Sequence, residues 1–172
     1  MSSDSEVRIR PATAADAPTV HRLIRRLAIY ERLEHEAVGT LDALTEHLSA
    51  ESPVIEALIA EDAAGQPIGF ALTYTTYSTF QCLPGIYIED LFVAPEARGA
   101  GVGGALLSAV AARAVERGYG RMEWSVLDWN EPAIGFYQRL GGRPVDGWTR
   151  YRLTGGALEA VARRTAAGEP LA

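Results

Sequence analysis

Hydrophobic positions along the chain alternate between the spacing of strands and the spacing of helices. Val7–Arg10 alternates as a short strand does, and the apolar stripe over residues 20–27 has helical spacing. Thr13 and Asp16, three residues apart, form a helix-start signal ahead of that stripe. The pattern therefore predicts a strand followed by a helix at the start of the chain.

The same two periodicities continue to the end of the chain. They predict strands over Ile55–Glu61, Ile68–Tyr77, Ile86–Val93, Met122–Leu127 and Trp148–Leu153, with Pro84-Gly85 joining the second and third of these as a hairpin. They also predict a helix capped by Thr40, one from the glycines near residue 100 to Gly118, one capped by Asn130, and a short one within Gly155–Gly168.

This order of elements fixes the fold class. Hairpins in the middle, followed by strand-helix-strand-helix-strand, predict an α/β (α+β) protein with a mixed, mostly antiparallel sheet flanked by helices. We expect about six or seven strands. The length of 172 residues, without repeats or a linker, predicts one domain over residues 1–172.

Composition excludes several kinds of protein. The formal net charge of −6 and the pI near 5.1 argue against a nucleic-acid binder. No apolar run approaches the roughly 20 residues of a membrane span, so we expect no membrane partner. The three histidines and one cysteine lack metal-ligand spacing, which predicts no metal. The polar segment Met1–Glu6 does not resemble a secretory signal, so we expect a cytoplasmic location.

A glycine-rich junction carries the most chemical information. The predicted strand that ends at Val93 leads through Arg98 into Gly99, Gly101 and Gly104, where a helix begins. Glycines let backbone N–H groups approach an anion, and a helix N-terminus adds unsatisfied amides and a positive dipole end. The junction therefore predicts a phosphate site.

Two other phosphate motifs fit this segment less well. Gly99, Gly101 and Gly104 also satisfy G-x-G-x-x-G, and Glu123 lies about 20 residues later, as in dinucleotide-binding proteins. A dinucleotide turn follows its strand at once, however, whereas Ala94–Arg98 intervenes here. A P-loop is excluded because no Lys-Ser/Thr pair follows the glycines.

The junction also resembles a known family. Arg98-Gly99-Ala100-Gly101-Val102-Gly103 is similar to the R/Q-x-x-G-x-G/A loop that binds the acyl-CoA pyrophosphate in the GNAT superfamily of N-acetyltransferases. Three further segments resemble its spermidine/spermine (diamine) acetyltransferase branch: Ile9–Asp16, Tyr87–Val93, and Trp129–Pro132 with Phe136-Tyr137. The resemblance implies the GNAT fold and acetyl-CoA as cosubstrate.

Cofactor contacts follow from the same resemblance. It implies that the backbone of Leu91, Phe92 and Val93 binds the thioester and pantetheine, and that Asn130 contacts the pantetheine arm. It assigns the pyrophosphate to the loop of Arg98, Gly99, Ala100, Gly101, Val102 and Gly103, and the CoA thiolate to Tyr137.

The resemblance also assigns the proton transfers. It implies that Glu89 acts as a base through a water molecule, and that Tyr137 protonates the departing CoA thiolate as general acid. A base is needed because an alkyl ammonium with a pKa near 10.4 is almost fully protonated at pH 7. No covalent acyl-enzyme is required.

Acidic residues predict the substrate class. Glu31 and Asp90 match acidic substrate contacts of the family, and with Glu89 they would attract a small cationic amine such as a polyamine. Thialysine, another amino acid and a protein lysine are alternatives, because the hairpin tip Thr79–Pro84 departs from the polyamine enzymes. A non-catalytic acyl-CoA sensor is a further alternative, and the family resemblance predicts a homodimer.

Overall fold

Strands and helices alternate much as the sequence pattern predicts. The computed structural model describes residues 7–51 and 53–166. Its strands are β1 (Arg8–Pro11), β2 (Glu56–Glu61), β3 (Pro67–Ser78), β4 (Leu83–Val93) and β5 (Met122–Trp124). Its α-helices are α1 (Ala17–Glu31), α2 (Leu41–Ser49), α3 (Val102–Glu116), α4 (Glu131–Arg139) and α5 (Gly155–Ala166). Short 3-10 turns at Ala14–Asp16 and Pro95–Ala97 precede α1 and the glycine loop.

The chain divides into two units, Met1–Ser125 and Val126–Ala172. All five strands belong to the first unit, in the order β1-β2-β3-β4-β5. Every neighbouring pair is antiparallel except β4 and β5, which are parallel. The predicted mixed, mostly antiparallel sheet is confirmed, and a doubly wound parallel sheet of the dinucleotide-binding type is not formed.

Helix α1 begins at the signal that the sequence predicts. The backbone N–H of Thr13 donates to Asp16 Oδ2 at 2.8 Å, and the Thr13 hydroxyl donates to the same oxygen at 2.9 Å. Arg10 of β1 also donates to both oxygens of Asp16, which ties the helix start to the sheet. The helix ends at Arg32, whose left-handed conformation (φ +61°) stops the backbone ladder.

The two faces of the sheet bury different helices. On one face, Val20, Leu23 and Leu27 of α1 join one buried core cluster with strand side chains. The strand members include Ile59 of β2, Phe70 and Leu72 of β3, and Phe92 of β4. On the other face, α3 packs against the sheet, and a Cβ on Gly69 would lie 3.4 Å from Leu106 Cδ1 of α3. The same Cβ would lie only 2.7 Å from the Phe92 carbonyl oxygen of the neighbouring strand β4. A glycine at position 69 is therefore a packing requirement.

The predicted hairpin turn at Pro84-Gly85 is wrong. Both residues lie inside β4, where Pro84 pairs with Tyr77 and Gly85 with Thr76. The chain reverses at residues 79–82, and Cys82 takes the positive φ of +51°. Gly85 serves close packing instead, because a Cβ there would lie 2.9 Å from Arg121 Cγ.

The sheet has five strands in the described residues, fewer than the predicted six or seven. Strand β5 ends at Trp124 rather than Leu127, and residues 148–153 form no strand. Trp148 and Tyr151 are 81% and 89% exposed. Alternation makes a strand only where a neighbouring strand accepts its backbone hydrogen bonds, and the sequence does not show whether one is present.

The second unit contains α4 and α5. Asn130 caps α4, as predicted, and its Oδ1 accepts from the Ala133 N–H at 3.4 Å. Gly141, with φ +88°, follows the end of the helix. The predicted C-terminal helix is confirmed as α5. The last two positions of its predicted range, Ala167 and Gly168, lie outside the described residues, as do 169–172, Met1–Glu6 and Ser52.

Candidate active site

A β-bulge places Glu89 at the centre of the candidate site. In the ladder between β3 and β4, Thr73 pairs with Ile88 and Leu72 pairs with Asp90, so Glu89 is an extra residue in β4. Such a bulge changes which side chains face each side of the sheet. Asp90 therefore shares a face with Leu72 and α1, whereas Ile88 lies on the other face. Glu89 itself is exposed.

The bulge coincides with the end of the β5 ladder. The last pair between β4 and β5 joins Ile88 to Trp124, so among the described strands residues 89–93 have β3 as their ladder neighbour. Backbone N–H groups alternate in direction along a strand, and some of those beyond Ile88 point away from β3. This edge is where the resemblance places Leu91, Phe92 and Val93 against the thioester and pantetheine.

The glycine loop ends at the N-terminus of α3. Gly99 and Gly101 have φ of +83° and +80°, and Gly101 is the N-cap residue. A Cβ at Gly99, Gly101 or Gly104 would meet no protein atom within 4 Å. The first turn of α3, which is fully described, holds no acidic residue. Open space, exposed amides and the helix dipole together suit a pyrophosphate.

Arg98 is anchored before the loop begins. Its Nε donates to the Val93 carbonyl oxygen at 3.0 Å, and its guanidinium carbon lies 4.3 Å from the centroid of the Tyr30 ring. Nearby, Arg26 of α1 donates to both carboxylate oxygens of Glu96 at 2.9 and 2.8 Å. These contacts join the end of α1 to the segment that leads into the glycine loop.

Three acidic side chains interact in the first unit. Burial, followed by repulsion from Glu89 and from Glu31, raises the pKa of Asp90 from its ordinary value of 3.8 to about 7. Burial also raises the pKa of Glu31. The structure thus brings the three predicted substrate contacts within electrostatic range of one another, although they come from α1 and β4.

The other two candidate residues belong to the second unit. Asn130 is buried and caps α4. Tyr137 lies on α4, half-buried, with its ring centroid 5.2 Å from that of Phe136. The predicted roles of Asn130 at the pantetheine and of Tyr137 as general acid stay predictions.

Sequence reasoning missed the features that organise the site. Nothing in Tyr87-Ile88-Glu89-Asp90 marks a bulge, since the segment lacks glycine and proline. The contact between Tyr30 and Arg98 joins residues 68 positions apart, and no local pattern predicts it. An alignment showing that both positions change together would have been the signal.

Comparisons with known proteins identify the family. The chain belongs to the acetyltransferase (GNAT) family, whose model matches residues 20–142. The matched range includes Glu31, Glu89, the glycine loop and Tyr137. The predicted enzyme class, an acetyl-CoA-dependent N-acetyltransferase, is confirmed.

Named relatives cover nearly the whole chain. The thialysine N-epsilon-acetyltransferase of Sus scrofa is 36% identical over 168 residues, spanning 92% of this chain and 98% of its own. The L-ornithine N5-acetyltransferase of Arabidopsis thaliana is 34% identical over 198 residues, spanning 90% and 87%. A spermidine/spermine N(1)-acetyltransferase-like protein of Homo sapiens, 29% identical over 153 residues and spanning 84% and 22%, confirms the resemblance to the diamine branch.

Solved structures share the fold. An integron cassette protein from the mobile metagenome of V. cholerae superposes with a TM-score of 0.76, covering 91% of this chain and 98% of its own at 23% identity. The predicted GNAT fold is confirmed.

Two kinds of feature are absent from the described residues. No group of three or more His, Cys, Asp or Glu side chains is arranged to hold a metal ion. No helix in this part of the chain is both long and apolar enough to cross a bilayer.

The glycine loop generates a prediction about CoA binding. Gly101→Ala is expected to weaken CoA binding by about tenfold or more, because a methyl group would enter the space where we place the pyrophosphate and the positive φ would be strained. The dissociation constant is measured by calorimetry. Gly65→Ala is the matched control, since Gly65 has φ +77°, equally open surroundings and no place in the site. Equal CoA affinity in both variants would contradict this placement.

Asp90 generates a prediction about stability and pH. Its pKa is raised in the folded protein, so between about pH 4 and pH 7 the folded state binds more protons than the unfolded state. Its contribution to stability therefore falls as the pH rises through that window. Asp90→Asn is expected to raise the free energy of unfolding at pH 8 by about 1–3 kcal/mol and to change it little at pH 4.

Chemical denaturation at the two pH values measures this difference. Glu34→Gln is the control, because it removes one exposed negative charge near the end of α1 without entering the cluster of three acids. If Asp90→Asn were no more stable than the wild type at pH 8, the charged Asp90 carboxylate would not destabilise the folded protein, and the prediction would be wrong.

Proposed function

We propose that the protein transfers the acetyl group of acetyl-CoA to the side-chain amine of a small basic amino acid of the ornithine or thialysine type. The observation that carries the proposal is the grouping of Glu31, Glu89 and Asp90, in which burial, followed by repulsion from Glu89 and Glu31, raises the pKa of Asp90 to about 7. Unfavourable negative charge of this kind is relieved by a bound cation. The two named relatives with more than 30% identity support the substrate class.

A cationic amine would change the protonation of the site. Asp90 is partly protonated near pH 7 when the site holds no ligand. A bound ammonium would favour the charged carboxylate, so binding would release a proton from Asp90 below about pH 7. The acids thus favour binding of the protonated amine. That amine must then lose a proton before it can react.

Deprotonation is the chemical problem that the site must solve. The reacting nitrogen loses a proton as it bonds to the acetyl carbon, since only the neutral amine has a lone pair. We assign this proton to Glu89, acting through a water molecule, because Glu89 is exposed in the bulge beside Asp90. Tyr137 would donate the proton that the CoA thiolate takes up, which completes the balance.

The chain's own residues suit the cosubstrate. Acetyl-CoA supplies the activated acetyl thioester. The amides at Gly99–Gly103 and the dipole of α3 would hold its pyrophosphate, and the edge of β4 at Leu91–Val93 would hold the pantetheine, with Asn130 contacting that arm.

A polyamine is the second candidate substrate. It is supported by the same three acids and by the spermidine/spermine N(1)-acetyltransferase-like relative.

The homodimer and the cytoplasmic location stay predictions from the sequence.

Two variants test the proton transfers. Glu89→Gln and Tyr137→Phe are each expected to lower kcat by about 10²-fold, the size usual for loss of general acid–base catalysis. CoA affinity should fall much less than kcat, because neither change touches the glycine loop that we assign to the pyrophosphate. Steady-state kinetics and calorimetry separate the two quantities. An unchanged kcat in either variant would remove that residue from the mechanism.

A panel of amines tests the substrate class. We expect thiol release from acetyl-CoA to have the highest kcat/KM with ornithine or thialysine, and a lower one with spermidine, putrescine and a lysine peptide. Glu31→Gln should raise the amine KM about tenfold, because it removes one of the three charges. Preference for spermidine would favour the second candidate, and silence with intact CoA binding would favour a non-catalytic sensor.

A further inference from the structure

Two tyrosines lie side by side next to the candidate amine site. Tyr74 of β3 and Tyr87 of β4 are directly paired across the two strands. Their ring centroids are 5.1 Å apart, with the ring planes inclined at 31°. Both side chains are half-buried, and the Tyr87 hydroxyl is hydrogen-bonded to Ser125 Oγ at 2.5 Å. The pair is therefore a fixed aromatic surface that retains exposure.

The strand register places this surface on the same face of the sheet as Asp90. Asp90 pairs with Leu72, and Leu72 is two residues before Tyr74 in β3, where the ladder has no extra residue. Residues two apart in a strand share a face and lie about 7 Å apart along it. The tyrosine pair thus lies about 7 Å along the strand from Asp90. The exposed Glu89 of the bulge lies between Tyr87 and Asp90 in β4.

The chemistry of the rings favours a cation. The face of a tyrosine ring attracts an ammonium group, most strongly where the site is partly removed from water. The negative charge of Glu31, Glu89 and Asp90 close by adds to the attraction for an ammonium group.

We propose that Tyr74 and Tyr87 bind a second ammonium group of the substrate, about 6–7 Å from the nitrogen that receives the acetyl group. The inference rests on the proposed function, since it takes the reacting amine to lie at the three acids. It adds a specificity requirement: the preferred substrate carries two cationic nitrogens at a set separation.

The separation matches a definite length of substrate. Five single bonds of about 1.5 Å at tetrahedral angles span roughly 6 Å, which is the distance between the two nitrogens of ornithine. The α-ammonium of ornithine would then meet the aromatic pair while its side-chain nitrogen lies at Asp90. A monoamine of the same length would bind only at the acids.

The test compares ornithine with 5-aminopentanoate, which is ornithine without the α-ammonium. We expect the wild type to prefer ornithine by about tenfold in kcat/KM. Tyr74→Leu and Tyr87→Leu should each reduce that ratio about fivefold, because leucine keeps apolar bulk but lacks a ring face. Tyr87→Phe, which keeps the ring, should keep most of the preference.

Tyr77→Leu is the matched control. Tyr77 is a partly exposed tyrosine three residues after Tyr74 in β3, so its side chain lies on the opposite face. Its variant should keep the full ratio, and circular dichroism should show all four variants folded.

The outcomes separate this inference from the proposed function. A ratio that stays unchanged in both leucine variants would overturn the inference and leave the tyrosines as packing groups. Acetylation of both compounds without preference by the wild type would also overturn it, while leaving the proposed function intact. A wild type inactive on every amine of the panel would overturn both.

Discussion

The register shift at Glu89 is the constraint on which the candidate site depends. At the plain two-residue period of a strand, Ile86, Ile88, Asp90 and Phe92 would all lie on one face. The extra residue in β4 keeps the first two on the face that α3 covers and moves the last two to the face that α1 covers. Phe92 then enters the core beside Phe70, and Asp90 comes within electrostatic range of Glu31.

Placing Asp90 there carries an energetic cost. Burial of the Asp90 carboxylate and the nearby charges of Glu89 and Glu31 both disfavour its charged form. Here the surrounding packing holds it in place, so the folded protein keeps an unfavourable charge distribution that a bound cation relieves. Sites that perturb a pKa in this way are frequently functional, because the same arrangement that lowers stability supplies binding energy to a ligand.

Much of the fold was readable from local patterns. The capping residues Thr13, Thr40 and Asn130 each precede a helix, because a side-chain oxygen at a helix start acts over three residues. The glycine loop was readable because its glycines lie close together in the sequence, between residues 99 and 104. The pairing of strands was not readable. Residues 148–153 have the alternation of a strand, yet the sequence does not show whether a neighbouring strand exists.

The candidate site was likewise readable only in part. Glu31, Glu89 and Asp90 could be named from the family resemblance, but the repulsion of Asp90 by the other two depends on tertiary packing that brings the end of α1 to β4. The bulge was not readable either, because it is formed by residues of ordinary backbone preference.

The contact between Arg98 and Tyr30 limits how the protein can diverge. The guanidinium rests on a ring from α1 while its Nε holds the carbonyl at the end of β4, so one side chain serves two neighbouring parts of the molecule. Lysine could not replace it, because an ammonium lacks both the planar face and the fixed direction of the Nε–H. A lineage that alters the end of α1 to accept a different amine must therefore keep an aromatic residue at position 30, or else change position 98 at the same time.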